Sequence, residues 1–114
     1  MLVRVNKSRQ MTNVETGAGV DVNENEYALL NLIAVKPALT KAEVVEYVWG
    51  CRGIIVTDSS YYQLLHSLRG KLRAISLDNV VRTLPRRGLQ AFFRVELLDA
   101  MPIPINDWEV TELP

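Results

Sequence analysis

The residues best suited to chemistry lie between Ser59 and Gly88, and the chemistry they suit is recognition, not bond-making. Between Ser59 and Arg87 six basic residues (Arg69, Lys71, Arg73, Arg82, Arg86 and Arg87) face one acidic residue, Asp78, an excess of five. The whole chain balances at 13 Lys+Arg against 13 Asp+Glu. Positive charge concentrated in a neutral chain points to a patch that meets phosphates, not to bulk attraction. Among these bases stand Ser60, Tyr62, Gln63, His66, Ser67 and Thr83, whose hydroxyl, amide and ring groups suit base edges or backbone oxygens. Arg69, Lys71, Arg82, Arg86 and Arg87 are expected to set register on phosphates, with Tyr62 adding a hydroxyl. Gln63, His66, Ser67 and Arg73 are expected to read bases or shape.

Other chemistries are poorly served. The chain has one histidine, His66, and one cysteine, Cys51, so it offers neither a metal cluster nor a nucleophile paired with a base. It has no glycine-rich phosphate loop and no paired-carboxylate setting. No enzymatic activity and no cofactor are expected. A single cysteine also excludes an internal disulfide and fits a reducing compartment, which makes the cytoplasm the expected location. No stretch approaches the ~18 unbroken apolar residues of a membrane span. Met1 to Met11 carries Arg4, Lys7 and Arg9 with no apolar run after them, unlike a secretory signal. At 114 residues, 48% apolar and 23% charged, the chain reads as one soluble domain with one core.

The elements that must position the basic residues can be read from caps and periodicity. Leu2 to Val5 and Val20 to Val22 read as short strands, with a turn over Thr16-Gly17-Ala18-Gly19. Asn23 with Glu26 forms a capping-box pattern, so a first helix starts near Asn23 or Asn25, with Tyr27, Leu30, Ile33 and Ala34 on its apolar face. Pro37 stops it near Val35. Thr40 and Glu43 repeat the pattern and predict a second helix over Lys41–Trp49, ended by Gly50. A loop, Gly50 to Asp58, leads to a third helix capped by Ser59 or Ser60 and running to about Ile75. Tyr61, Leu64, Leu65, Leu68 and Leu72 line its buried face, which turns Ser59, Gln63, His66, Ser67, Gly70 and Arg73 outward. Val80 to Arg82 and about Gln90 to Leu97 then pair as a hairpin around Thr83-Leu84-Pro85-Arg86-Arg87-Gly88.

Strands, three helices and a terminal hairpin, in that order, make a winged helix-turn-helix of the α+β class. Four blocks take this further: Glu26-Tyr27-Ala28-Leu29-Leu30, Val48-Trp49-Gly50, Leu68-Arg69-Gly70-Lys71-Leu72, and Thr83 to Gly88. In this order and spacing, over roughly Leu2 to Val95, the chain resembles the OmpR/PhoB-type DNA-binding domain, on its ToxR/CadC-like branch. The resemblance implies a small N-terminal antiparallel sheet, a three-helix core and a C-terminal β-hairpin wing. It implies double-stranded DNA as partner, the third helix in the major groove and the wing on the adjacent minor groove or phosphates. It further implies an RNA polymerase contact through the Gly50 to Asp58 loop. Leu89 stands where the family commonly places an aromatic residue after the wing glycine.

The expected organisation is a winged-helix domain over residues 1–98 and an acidic tail over 99–114, with Asp99, Asp107, Glu109, Glu112 and three prolines but no base. The leading expectation is a bacterial transcription regulator that binds specific duplex sites, as a homodimer or in tandem. Membrane tethering is compatible with it if the chain is a piece of something longer. The rival is a winged-helix module that binds protein instead of DNA, through Ile54-Ile55-Val56 and the tail.

Overall fold

The first two helices owe their starts to side chains that satisfy backbone groups locally. The structure is a computed structural model and describes residues 1–85 and 87–98; Arg86 and the acidic segment 99–114 lie outside the described residues. Strands β1 (Leu2–Val5), β2 (Gln10–Asn13) and β3 (Gly19–Asp21) form an antiparallel meander. Helix α1 (Glu24–Val35) starts at Asn23, whose side chain accepts the Glu26 amide while Glu26 accepts the Asn23 amide, the reciprocal box expected from the sequence. Strand β4 (Ala38–Thr40) leads directly into α2 (Lys41–Val48), which Thr40 and Glu43 cap in the same way.

Helix α2 ends one residue earlier than expected, and Gly50–Arg52 continues it as a 3₁₀ turn. Arg52 donates to the Val48 carbonyl, with Nε at 3.1 Å and one terminal nitrogen at 2.6 Å, so a cation occupies the helix C-terminus. Helix α3 (Asp58–Ala74) is capped by Thr57, not by Ser59 or Ser60 as the sequence suggested; the Thr57 hydroxyl accepts the Ser60 amide. Tyr61, Leu64, Leu65, Leu68 and Leu72 are all buried, as their spacing predicts.

The hairpin departs from expectation at its second arm. Strands β5 (Val81–Leu84) and β6 (Gly88–Ala91) pair antiparallel, and β4 adds to β6 to give a sheet of order β4-β6-β5. The segment expected to continue the wing instead breaks at Phe92 and Phe93, with Phe93 buried. It resumes as β7 (Arg94–Leu97), which pairs parallel with β1 in the other sheet, of order β3-β2-β1-β7. The reason is an open strand edge: β1 has β2 on one side only, and β7 fills the other with a four-residue register.

The core lies between this sheet and the helices. Leu29, Leu30 and Ile33 of α1 meet Val3, Val5 and Met11 of the sheet and Leu65 and Leu68 of α3 in one cluster. The α1 face is rotated from the expected stripe: Leu29 and Glu26 are fully buried, while Tyr27 and Ala34 are only half-buried. Asn13 and Glu26 are the buried polar residues among those described. Each is satisfied, Asn13 by donating 2.7 Å to the Ile75 carbonyl and Glu26 as described next. Among the described residues no helix is long and apolar enough to cross a membrane.

Candidate nucleic-acid interface

Because its apolar stripe faces inward, α3 presents Ser59, Gln63, His66, Gly70 and Arg73 to solvent. Gly70 sits there with open space where a side chain would be. Arg73 lies 3.5 Å from Asp78, with both groups largely exposed, so the pair is weak and its guanidinium remains accessible. Tyr62 is exposed and packs edge-on against Tyr61, ring centroids 5.0 Å apart. Ser60 is half-buried at the first turn.

Three predicted contact residues have their polar heads engaged inside the domain. The Ser67 hydroxyl donates to Glu26 Oε2. Lys71 Nζ donates to Glu26 Oε1 at 3.0 Å and to the Asp21 carbonyl at 2.8 Å. Burial alone pushes the Glu26 carboxyl up, but hydrogen bonds from Ser67, the Asn23 amide and Lys71 outweigh it and hold the group below its ordinary range. Arg69 donates to the Val81 carbonyl at 3.2 Å and to Thr83 Oγ1, and so joins α3 to the first wing strand. These side chains fix how α3 sits between α1 and the wing; what they hold outward is the neighbouring turn of helix.

The wing carries Arg82 and Arg87 on exposed positions. The Arg82 guanidinium stacks 5.5 Å from the centroid of the half-exposed Phe92 ring, which restrains a side chain that would otherwise be mobile. Thr83 is half-buried beneath Arg69. Gly88 closes the turn at φ +141°, and a Cβ there would stand 2.0 Å from the Leu39 carbonyl oxygen. Only glycine fits this crossing of β6 over β4. Leu89, in the place of the expected aromatic, is fully buried opposite Leu39 and serves the core. Arg86 lies outside the described residues.

One basic residue outside the predicted set reaches this face. Lys41 opens α2, yet the β4–β6 pairing brings its amide to the Arg87 carbonyl at 3.1 Å. No local pattern signals this, because it depends on a strand of three residues with a single buried side chain, Leu39.

No family model matches the chain. Among curated proteins it is 34% identical over 96 residues to the cholera toxin homolog transcriptional activator of Vibrio parahaemolyticus serotype O3:K6 (strain RIMD 2210633), covering 82% of this chain and 33% of that protein. It is 31% identical over 83 residues to the cholera toxin transcriptional activator of Vibrio cholerae serotype O1 (strain ATCC 39315 / El Tor Inaba N16961), covering 70% and 28%. The chain therefore spans about a third of the length of these relatives. Among solved structures, the DNA-binding domain of the response regulator AdeR, in complex with an intercistronic region, superposes with a TM-score of 0.66 at 12% identity, covering 78% of this chain and 92% of that one. The DNA-binding domain of Escherichia coli CadC superposes with a TM-score of 0.64 at 24% identity, covering 78% and 89%. Three helices, the wing, the four motif blocks and these likenesses agree: the chain has the winged helix-turn-helix fold and resembles the OmpR/PhoB type, on its ToxR/CadC-like branch.

Proposed function

We propose that this chain binds double-stranded DNA and serves as the DNA-reading part of a transcription regulator. The observation that carries this reading is the solvent-facing row Gln63, His66, Gly70 and Arg73 on α3, set beside a hairpin with exposed Arg82 and Arg87. The apolar residues of both elements are spent on the core. A helix of this width suits the major groove, and an arginine-bearing hairpin suits the adjoining minor groove or its phosphates. Both relatives are transcriptional activators, which supports the same reading.

In this arrangement Gln63, His66 and Arg73 meet base edges, while Arg82, Arg86, Arg87 and Tyr62 hold phosphates. Ser67, Lys71 and Arg69 serve by orienting α3 and the wing. One small module buries limited surface on DNA, so two copies on repeated half-sites, paired or in tandem, supply the affinity. The place of action is the cytoplasm, where the duplex is. The test is a titration of labelled duplex at two salt concentrations with wild type and Arg86→Ala/Arg87→Ala. Expected is binding that weakens steeply with salt, and a logarithmic slope shallower by about two in the double variant. Absence of duplex binding at roughly 50 mM salt defeats the proposal.

A second contact is favoured by one observation. Ile55, in the turn between α2 and α3, is 98% exposed, and Ile54 beside it is partly exposed. An apolar tip of this kind suits a protein, and RNA polymerase is the partner that a DNA-bound regulator meets. Ile55→Ser is expected to leave duplex binding unchanged and to lower transcription in a reconstituted reaction with polymerase. Unchanged transcription removes this contact.

A further inference from the structure

A cleft opens where the first turn of α3, the start of α2 and the root of the wing converge. It is lined by Lys41, Asp58, Tyr61, Tyr62, Arg87 and Gly88. Two features set it apart from an ordinary surface groove. The Lys41 ammonium lies 5.5 Å from the ring centroids of both Tyr61 and Tyr62, held over two aromatic rings. Among the described residues the Tyr61 hydroxyl is buried and without a hydrogen-bond partner, and burial, with Tyr62 close by, raises its pKa against the opposing pull of Arg69. Lys41 is held over the two tyrosine rings, and among the described residues its ammonium pairs with Asp58 Oδ1, at 2.5 Å.

The two partners are unequal. The Lys41 side chain is 33% exposed, whereas that of Asp58 is 80% exposed. Asp58 is the first residue of α3, where a carboxylate favours the helix whether or not it has a cation. An exposed ion pair of this kind is weak and readily exchanged. A phosphodiester oxygen satisfies the same ammonium, and Arg87 on the opposite wall attracts the same charge. Among the described residues that line the cleft Asp58 is the acidic one, and it would meet phosphate with like charge.

We propose that this cleft is a further phosphate grip on duplex DNA, in which Lys41 exchanges Asp58 for a backbone phosphate and Asp58 acts as an electrostatic brake on binding. The inference rests on the DNA reading above. It adds a contact from α2, an element outside the helix and wing, and a residue that opposes affinity from within the interface.

The test measures duplex affinity against salt for the full chain as wild type, Lys41→Gln, Asp58→Asn and the double variant, with thermal unfolding to show that each is folded. Lys41→Gln is expected to reduce the logarithmic salt slope by about one. Asp58→Asn is expected to raise affinity about two- to fivefold, the change that corresponds to an exposed ion pair. That gain should shrink when Lys41 is already replaced, because only the like-charge repulsion is then relieved. A wild-type slope in Lys41→Gln, or an equal Asp58→Asn gain in both backgrounds, overturns the cleft while leaving DNA binding intact. Failure of wild type itself to bind duplex removes the DNA reading and the cleft with it.

Discussion

Glu26 of α1 and Lys71 of α3 meet at 3.0 Å, with the carboxylate completely buried and the ammonium reaching it from the edge of solvent. The pair, with Ser67, ties the first helix to the third. A buried carboxylate is tolerated here because each of its oxygens has a donor: Oε1 receives the Asn23 amide and Lys71, and Oε2 receives Ser67.

Acid should therefore loosen the domain in a defined direction. The folded-state pKa of Glu26 lies below its ordinary value of 4.5. Its contribution to stability is complete above that value and is lost as pH falls through the lower folded-state value. Urea titrations at falling pH should show this loss, and Glu26→Gln should flatten the profile in that range. Lys71→Met should cost about 1.5–3 kcal/mol at neutral pH, the worth of a hydrogen bond to a buried charge. An unchanged profile in Glu26→Gln would mean that other carboxylates set the acid limit.

Gly88→Ala should break the wing selectively. The new methyl would meet the Leu39 carbonyl at 2.0 Å, and the backbone already stands at φ +141°. Strain alone amounts to about 1–3 kcal/mol, and β4 must also shift. Amide exchange should speed up in β4, β5 and β6 while β1 and β2 stay protected. Uniform protection across both sheets would show that the crossing accommodates a side chain.

Gly70→Ala should have opposite effects on stability and binding. Nothing lies within 4 Å of the position a Cβ would take, so the helix should gain about 0.5–1 kcal/mol. The methyl would nevertheless project from the row proposed to face DNA. A higher melting temperature with weaker duplex binding is expected; tighter or equal binding would place DNA away from this turn of α3.

Leu68→Ala reports on the roll of the third helix. Leu68 is fully buried among the residues of the shared core. Its truncation should cost about 2–5 kcal/mol in a denaturant titration. A loss within error would turn the outward face elsewhere.

The helices were legible because their signals are local. Asn23 with Glu26, and Thr40 with Glu43, announce two helix starts, and the four- and three-residue spacing from Tyr61 to Leu72 orients the third. The strands that escaped notice are those with little local signature. Strand β2 contains Gln10 and Asn13, poor strand formers, and its place is secured by Met11 in the core and by Asn13 bonding to Ile75, sixty-two positions away. Strand β4 has three residues, and β7 continues the alternation of the wing yet joins another sheet. The site shows the same division. Exposure of Gln63, His66 and Arg73 follows from helical geometry alone. The engagement of Lys71 by Glu26, of Arg69 by the Val81 carbonyl, and of Lys41 by Asp58 depends on tertiary partners that no spacing reveals.

The parallel union of β1 with β7 has a consequence for assembly of the domain. The Arg94 amide bonds to the Met1 carbonyl and the Leu98 amide to the Val5 carbonyl, so among the described residues the first strand is completed by the seventh. As the chain leaves the ribosome, Leu2–Val5 must wait for nearly the whole domain before its free edge is covered. Pairing across so many residues is slow to form, since the closure entropy comes due before any contact compensates it. The platform beneath α1 thus latches late, and a chain stalled before Arg94 would expose a ready-made edge to its neighbours.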